Sequence, residues 1–285
     1  MSNVKRMMLY FTLAVIVLGL SNGFTKPPEQ LYRDQVAVLM YHHVHDTDQS
    51  SSTVTTALFR DQLSYLKEKG YNFITLNDFK KFLQGAPVPA NAVLVTFDDG
   101  YKSFYDNAYP VLKGLGIPAV NFIVTKDLAD PTAPYPPALS KEEIREMLQV
   151  PGQYEFQCHS DNLHHMINDS AALTSKTDEQ GNPISDDAYN AKIAADSKAC
   201  YEKLGELYGK PGAGDAYAYP FGIFTGTAQS IVHDAGFRYC FTIIGEMATR
   251  ASDPMQIPRI NAGNPNIRPE NLHQIILRRI EAVKG

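Results

Sequence analysis

Apolar runs and amphipathic stretches alternate along most of the chain. Runs with the length and composition of buried strands lie at residues 35–41, 73–76, 93–97, 119–124, 154–158, 216–219 and 237–244. Stretches with apolar residues at the helical period lie at 56–69, 77–83, 107–115, 140–148, 187–208, 227–234 and 269–283. Strand followed by helix, repeated in this way, predicts a parallel α/β sheet.

Polar side chains follow several of these strands directly. They are His42, His43, His45, Asp98, Asp99, His159, His164, His165 and the turn Tyr219-Pro-Phe-Gly222. Functional groups collect at the carboxyl ends of parallel strands, and in a closed barrel these ends converge on one mouth. We therefore predict a single α/β domain that forms a closed or nearly closed barrel, with a functional site at that mouth.

The start of the chain has the pattern of a secretory signal. Two basic residues precede a mostly apolar segment, residues 7–20, which is short for a membrane span of about 20 residues. We interpret residues 1–23 as a signal peptide or N-terminal membrane anchor, 24–34 as a linker and 35–285 as the folded domain. We therefore expect a secreted or extracellular protein.

Composition excludes some classes of function. The chain has 26 basic and 31 acidic residues, a formal net charge of −5, so we expect no nucleic-acid partner. Its cysteines, Cys158, Cys200 and Cys240, show no CxxC spacing, which argues against a thiolate zinc site. We interpret them as buried small hydrophobic residues, with one disulfide left open if the chain is exported.

The histidines and carboxylates at the predicted mouth are suited to metal-assisted hydrolysis. Two histidines and one carboxylate form a site for zinc or another divalent ion. His159 supplies one imidazole and His164 the other, with His165 as the alternative. The second carboxylate of the Asp98–Asp99 pair becomes a general base that activates water. A histidine from another strand can protonate the leaving group, which suits hydrolysis of an amide or ester.

Three motifs resemble those of polysaccharide deacetylases, carbohydrate esterase family 4. Residues 96–100 (Thr-Phe-Asp-Asp-Gly) look like the first motif of this family. The histidines of residues 159–164 look like the second motif, and residues 218–222 (Ala-Tyr-Pro-Phe-Gly) look like a variant of the third. The resemblance extends from about residue 36 to residue 262 and implies a distorted (β/α)7 barrel.

One branch of this family, the poly-N-acetylglucosamine or intercellular adhesin deacetylases, is more similar still. In that branch, as here, a Met-Tyr-His-His-Val sequence at residues 40–44 precedes the Asp-Asp motif. Elsewhere in the family the acid histidine comes late, in a Leu-x-His strand. His273 lies in the predicted terminal helix instead, so the resemblance assigns the acid role to His42.

The resemblance also implies the remaining roles. Asp98 would be the general base, and Asp99, His159 and His164 would hold the metal. The metal is expected to be Zn²⁺, with Co²⁺ or Ni²⁺ as alternatives. Together with a backbone N–H near Phe221, it would stabilise the oxyanion of the tetrahedral intermediate.

The third motif departs from the usual pattern of the family at its first position. An Arg normally stands there and orients the base, whereas this chain has Ala218. Arg259 is a candidate to supply that charge from another strand, and the alternative is that Arg259 forms a surface ion pair. Tyr219 and Phe221 are the candidate oxyanion and substrate residues of this motif.

We therefore predict a metal-dependent N-deacetylase of an extracellular GlcNAc polymer, with poly-β-1,6-N-acetylglucosamine as the first substrate. Peptidoglycan and chitin-type oligomers are alternative substrates, and a carbohydrate-binding pseudoenzyme is the alternative of another class. The expected partners are the polysaccharide and the cell envelope or membrane surface, where residues 7–20 would anchor an uncleaved chain. We expect a monomer.

Overall fold

The computed structural model describes residues 29–280. The predicted signal peptide or anchor at 1–23 lies outside these residues, as do positions 24–28 of the predicted linker and the end of the predicted terminal helix. Between residues 29 and 280, no helix is long and apolar enough to cross a membrane.

The described chain alternates strands and helices, as the hydrophobic pattern predicted. The strands are β1 (Gln35–Tyr41), β2 (His43–Val44), β3 (Thr53–Val54), β4 (Asn72–Phe73), β5 (Ala92–Phe97), β6 (Ala119–Val124), β7 (Tyr154–Ser160), β8 (Met166–Ile167), β9 (Ser170–Ala171), β10 (Ala216–Ala218), β11 (Tyr239–Phe241), β12 (Ala248–Thr249) and β13 (Ile260–Asn261). The α-helices are α1 (Thr56–Glu68), α2 (Leu76–Leu83), α3 (Tyr109–Leu115), α4 (Lys141–Met147), α5 (Asp186–Tyr208), α6 (Gly226–Asp234) and α7 (Pro269–Arg279). Shorter turns are π-helical at Phe104–Ala108 and 3-10 at Thr125–Leu128 and Pro220–Gly222.

A nine-stranded mixed sheet runs in the order β11-β10-β7-β6-β5-β1-β12, with β13 also pairing to β1 and β4 to β5. The pairing of β1 with β12 is antiparallel, and the other pairings in this sheet are parallel. Segment 257–261 closes the sheet, because Ile257 bridges Phe241 of β11 and Ile260 pairs with Leu39 of β1. The ring of β1, β5, β6, β7, β10, β11 and this closing segment is the distorted (β/α)7 barrel that was predicted.

Alternate residues of each strand face the inside of the barrel. Val36 and Val38 of β1 pack with Leu94 of β5 in one buried cluster, while their direct neighbours along each strand belong to a second cluster that includes the helices other than α2. Burying each large apolar side chain contributes about 1.5–3 kcal/mol. Because side chains alternate with a period of two, His42 and Asp98 continue the inward-facing rows of β1 and β5.

Capping residues set the helix starts. Ser140, the first residue of the helical stretch predicted at 140–148, begins the capping box of α4. The helix predicted from residue 77 begins one residue earlier, because Thr75 and Asp78 form a capping box and α2 begins directly after Thr75. The predicted helix start at Asn107 is also displaced, since a π-helical turn spans this position and α3 follows it.

The described part of the predicted linker packs against the domain. Tyr32 is buried, and its hydroxyl donates a hydrogen bond of 2.7 Å to the carbonyl of Ala92. The side-chain oxygen of Asn91 accepts the backbone N–H groups of Leu31 and Tyr32. The packed part of the chain therefore extends to residues before position 35, where the sequence pattern placed the start of the domain.

Two of the three cysteines are cross-linked. Cys158 on β7 and Cys200 on α5 form a disulfide, while Cys240 on β11 is a buried free thiol. Our interpretation of all three as simple buried hydrophobic residues is therefore wrong for the first two. The bond fastens α5 to β7 at Cys158, the residue directly before His159.

Candidate metal centre and active site

The carboxyl end of β5 carries both adjacent carboxylates on a tight turn. Asp98 is 3% exposed, and the next two residues, Asp99 and Gly100, have φ angles of 75° and 70°. A Cβ at Gly100 would lie 3.0 Å from the Cβ of Ile123, so glycine is required there. A non-glycine residue such as Asp99 is uncommon at positive φ, and such strain clusters at functional sites.

Asp99 meets two imidazoles. Its Oδ1 atom lies 3.3 Å from Nε2 of His159 and 3.3 Å from Nε2 of His164. His159 belongs to β7, and His164 lies in the loop that follows this strand. We call Asp99, His159 and His164 the barrel cluster. The structure brings together the three residues that the resemblance nominated as metal ligands.

The barrel cluster fits a divalent metal ion. Ligand atoms placed about 2.0–2.1 Å from a tetrahedral zinc ion are about 3.3 Å apart, and the two distances from Asp99 have this length. The Oδ1 atom of Asp99 is buried and has no hydrogen-bond partner. A buried carboxylate oxygen in this state is costly. A cation held by all three side chains would supply the missing interaction.

The surroundings of the barrel cluster keep Asp99 and His164 in the form that binds metal, whereas the carboxylates of Asp99 and Asp98 raise the pKa of His159 against the effect of its burial. Burial by itself would raise the pKa of Asp99, but the neighbouring His159 and His164 outweigh it and hold this pKa well below its usual range. Burial lowers the pKa of His164 to about 4, and the charge of His159 acts in the same direction. Asp99 is therefore ionised and His164 neutral near pH 7, as metal ligands must be.

Both imidazoles are held from behind. The Nδ1–H of His159 donates to the carbonyl of Ala218 at 2.8 Å, which leaves Nε2 directed at Asp99. An outer hydrogen bond of this kind fixes the tautomer and the orientation of a metal-binding histidine. The ring of His164 stacks on Phe221, with ring centroids 4.7 Å apart.

Asp196 on α5 ties down the start of the loop that carries His164. Its carboxylate accepts the N–H groups of Asp161 at 3.1 Å and Asn162 at 2.6 Å. Burial raises the pKa of Asp196 to about 6, although these N–H groups act in the opposite direction. Sequence reasoning missed this residue. A carboxylate on the apolar face of a helix is the signal that could have identified it, because Asp196 lies three positions after Ile193 on that face.

His165, the alternative ligand, does not join the barrel cluster. Its Nε2 lies 3.1 Å from a carboxylate oxygen of Glu179, and a third of its side chain is exposed. The loop therefore turns His164 toward Asp99 and His165 toward solvent.

Arg259 makes a bidentate ion pair with Asp98. Its Nη1 and Nη2 atoms donate to Oδ1 and Oδ2 of Asp98, both at 2.7 Å. Arg259 lies in the segment that closes the barrel and is 0% exposed, so the alternative of a surface ion pair is excluded. Burial by itself would raise the pKa of Asp98, but the charge and hydrogen bonds of Arg259 hold it below its usual range. Asp98 is therefore an oriented, ionised carboxylate.

His42 faces Asp98 from the end of β1. Its Nε2 lies 3.9 Å from Oδ2 of Asp98, and 23% of its side chain is exposed. The inward row of β1 thus places an imidazole beside the carboxylate that Arg259 holds.

The turn after β10 agrees with the predicted site only in part. Phe221 has a φ of 58°, is 38% exposed and contacts His164, so it lies at the site. Tyr219, in contrast, is fully buried, and its hydroxyl donates to the carbonyl of Met255 at 3.1 Å. Because a substrate cannot reach this ring, the predicted substrate contact of the Tyr219 side chain is corrected.

A cleft of about 380 Å³ opens beside the barrel cluster. Asp99 and His164 line it, together with Tyr101, Lys126 and Tyr135. This volume lies in the range of about 300–1,000 Å³ that is usual for ligand sites. Tyr101, Lys126 and Tyr135 were not predicted, because no sequence motif marks them.

A family model described as polysaccharide deacetylase matches residues 85–240. The matched segment is more than half of the chain. It holds β5, β6, β7 and β10 and all three members of the barrel cluster. The chain belongs to the polysaccharide deacetylase family. It is therefore a hydrolytic enzyme, and the metal dependence of this family accords with the barrel cluster.

Named relatives and solved structures support this membership over most of the chain. A Staphylococcus aureus protein named poly-beta-1,6-N-acetyl-D-glucosamine N-deacetylase is 28% identical over 257 residues, which cover 85% of this chain and 84% of that protein. The structure of IcaB from Ammonifex degensii has a TM-score of 0.67 and 27% identity, covering 85% of this chain and 95% of that one. The Streptococcus pyogenes deacetylase PplD, solved in complex with acetate, has a TM-score of 0.70 and 25% identity, covering 86% and 99%.

Proposed function

We propose that this deacetylase removes N-acetyl groups from extracellular poly-β-1,6-N-acetylglucosamine. The observation that carries the proposal is the meeting of the barrel cluster, the Asp98–Arg259 pair and His42 at one end of the barrel. The choice of polymer is supported by the name of the staphylococcal relative and by the position of His42 directly after the first strand.

Asp98 acts as the general base. The two hydrogen bonds from Arg259 occupy one lone pair on each carboxylate oxygen of Asp98. Each of these oxygens keeps another lone pair that can accept a proton from the attacking water. Because its pKa is held low, Asp98 is ionised at physiological pH but is a modest base. Its main contribution is therefore its fixed position next to the water and the substrate carbonyl.

His42 acts as the general acid. Its Nε2 is 3.9 Å from Asp98, which is too long for a hydrogen bond and leaves the imidazole free to act on the scissile amide. As the carbon–nitrogen bond breaks, His42 donates a proton to the leaving amine nitrogen.

Asp99, His159 and His164 would hold the divalent ion. Two imidazoles and one carboxylate favour Zn²⁺, with Co²⁺ or Ni²⁺ as alternatives. Bound there, the ion supplies Lewis-acid stabilisation of the negative charge that develops on the carbonyl oxygen. We assign the backbone N–H of Phe221 as a further donor to that oxygen, since its turn lies against His164.

The cleft beside the barrel cluster would receive the sugar units next to the one that reacts. Tyr135 lines this cleft, is 85% exposed and stands between two prolines. The prolines restrict the backbone, so the ring is presented as a flat surface against which a pyranose face can pack.

We infer that the enzyme works outside the cell. The secretory pattern of residues 1–23 supports this location. The Cys158–Cys200 disulfide also supports it, because such bonds persist mainly in oxidising compartments. A chain that keeps residues 7–20 would be anchored at the membrane surface, facing the cell envelope, and the proposed state is a monomer.

Acetate release from defined oligosaccharides tests the proposed substrate. We expect turnover on β-1,6-linked N-acetylglucosamine oligomers to exceed turnover on peptidoglycan fragments and on chitin oligomers. Brisk release from peptidoglycan with none from the β-1,6-linked oligomers would overturn the choice of polymer and leave the deacetylase reaction standing.

Metal removal tests the proposed chemistry. Dialysis against a chelator should abolish acetate release, and Zn²⁺ or Co²⁺ should restore it. Full activity in protein shown by elemental analysis to be metal-free would contradict the role of the barrel cluster. Asp98→Asn separates an enzyme from a carbohydrate-binding pseudoenzyme, because it should lose turnover while it retains the bound metal.

A further inference from the structure

A second group of two histidines and one aspartate lies directly beyond His42, and the proposed reaction does not use it. Nε2 of His43 lies 3.0 Å from Oδ2 of Asp48, and Nδ1 of His45 lies 3.2 Å from Oδ1 of the same carboxylate. One ligand atom from each of the three residues lies within 4.8 Å of the other two. We call His43, His45 and Asp48 the loop cluster.

The contacts of His45 leave one interaction unsatisfied. The backbone N–H of Asp48 donates to Nδ1 of His45 at 3.0 Å, so this nitrogen carries a lone pair and no proton. Yet Oδ1 of Asp48 lies 3.2 Å from the same nitrogen. Two acceptors therefore face each other, as Asp99 faces its two imidazoles in the barrel cluster. A cation between them would turn this unfavourable contact into two ligand bonds.

The spacing of the loop cluster suits a transition-metal ion. Nitrogen and oxygen ligands of tetrahedral zinc lie about 3.3 Å apart, and the two contacts to Asp48 measure 3.0 and 3.2 Å. Three ligands leave a fourth position for water. The side chains of His45 and Asp48 are 36% and 29% exposed, so an ion can enter from solvent.

His43 is held from behind in the way that metal-binding histidines usually are. Its Nδ1 shares a hydrogen bond of 2.7 Å with the hydroxyl of Ser103, which directs Nε2 toward Asp48. The edge of the Tyr101 ring packs on the imidazole, with centroids 5.2 Å apart. Pairing of β2 with β3 sets the backbone, with His43 opposite Thr53.

Away from the barrel mouth, two other contacts between a histidine and a carboxylate among residues 29–280 do not share the pattern. His165 with Glu179 and His233 with Asp234 each join a single imidazole to a single carboxylate, at 3.1 and 3.5 Å. Ion pairing alone therefore accounts for these two contacts, whereas the loop cluster converges two imidazoles on one carboxylate.

We propose that His43, His45 and Asp48 form a second site for a divalent transition-metal ion such as Zn²⁺. The ion takes the lone pair that His45 now shares with the N–H of Asp48, and it joins both imidazoles to the carboxylate. A bound ion would fasten the loop after β2 to β2 itself, whose first residue is His43. The proposal does not depend on the polymer that the enzyme deacetylates.

Zinc stoichiometry tests the second site. Tag-free protein is stripped of metal, titrated with Zn²⁺ by calorimetry, and measured for zinc by elemental analysis after equilibrium dialysis. We expect two equivalents per chain, the tighter at the barrel cluster and the weaker at the loop cluster. His45→Gln and Asp48→Asn should each lose the weaker equivalent and keep the tighter, whereas Asp99→Asn should lose the tighter and keep the weaker.

His233→Gln is the matched control, since it removes an exposed histidine beside a carboxylate and should keep both equivalents. Circular dichroism checks that each variant is folded. Because His45→Gln and Asp48→Asn are independent, the test still holds if one of them does not fold. A single equivalent in the wild-type protein, or two equivalents kept by both His45→Gln and Asp48→Asn, would overturn the proposal.

Discussion

The barrel cluster and the loop cluster present the same side chains, two imidazoles and one carboxylate, in different settings. The barrel cluster draws its members from the ends of β5 and β7, and the side chains of His159 and Asp99 are 2% and 9% exposed. The loop cluster draws all its members from residues 43–48, and its His45 and Asp48 side chains are 36% and 29% exposed. The whole fold sets the geometry of the first cluster, while one short loop sets that of the second.

The neighbours of the two clusters differ more than their ligands do. Beside the barrel cluster stand Asp98, held by Arg259, and His42, which faces Asp98. The loop cluster contacts Ser103 and Tyr101, which orient an imidazole but do not surround a reacting bond. A group of metal ligands becomes a catalytic site when an oriented base and an acid adjoin it, and of the two clusters only the barrel cluster has neighbours that we propose for these roles.

The largest expected effect follows loss of the carboxylate that joins the barrel cluster. Asp99→Ala should lose the tightly bound zinc and reduce acetate release to the uncatalysed background, because His159 and His164 then lack their shared anionic partner. Elemental analysis and an acetate assay on the same preparation measure both effects. Asp48→Asn is the matched change at the other cluster and should retain the tightly bound ion. Loss of that ion from Asp48→Asn would show that the two clusters do not bind metal independently.

Loss of the acid should separate chemistry from metal binding. His42→Ala should retain zinc at both clusters and lower kcat about 10²- to 10⁴-fold, the range for removal of a general acid. Steady-state kinetics with zinc analysis measure the two properties separately. If the variant loses the tightly bound zinc instead, His42 belongs among the ligands and its assignment as the acid is wrong.

The ion pair behind the base should contribute to stability as well as to activity. Arg259→Gln leaves the carboxylate of Asp98 buried and unpaired, so the free energy of unfolding should fall by about 3 to 5 kcal/mol. Urea unfolding measures this change. The control is Asp98→Asn combined with Arg259→Gln, whose cost should be well below the sum of the single variants. Additive costs would show that the two side chains are not coupled.

The disulfide should support the barrel cluster alone. Replacing Cys158 and Cys200 with Ala should lower the free energy of unfolding by about 2 to 4 kcal/mol, because the cross-link closes a long loop. The zinc affinity of the barrel cluster should fall, since His159 follows Cys158, while that of the loop cluster should not. Cys240→Ala keeps the cross-link and serves as the control. Equal weakening of both zinc sites would contradict the separation of the clusters.

The smallest expected effect is a pH dependence from Asp196. Its pKa is raised to about 6 by burial, against about 3.9 in an unfolded chain. The folded protein therefore holds an extra proton between these pH values. The contribution of Asp196 to stability is full below about pH 4 and is lost as the pH rises through about 6. Relative to Asp196→Asn, the wild-type protein should lose about 3 kcal/mol across this window.

Urea unfolding at several fixed pH values between about 4 and 7 measures this difference for both proteins. A difference that stays constant over the window would show that Asp196 does not titrate there. Zinc binding at the loop cluster, which Asp196 does not contact, should be the same in the two proteins.

Much of the fold could be predicted because its signals are local. The alternation of apolar runs with helical periods predicted the barrel, and the polar residues after β5 and β7 predicted where its mouth lies. The errors were local too. The start of α2 was predicted at residue 77 and not directly after Thr75, and the described residues before position 35 were counted as linker although Tyr32 is buried.

The sequence by itself determined which residue types stand at the strand ends, because a run of apolar residues must stop where its polar groups begin. It could not decide between His164 and His165, since that choice depends on a loop held by Asp196 on a distant helix. Nor could it place Arg259 against Asp98, because the pairing arises only when segment 257–261 closes the barrel. The local pattern supplied the proposed metal ligands, and ring closure decided that Arg259 pairs with Asp98, the proposed base.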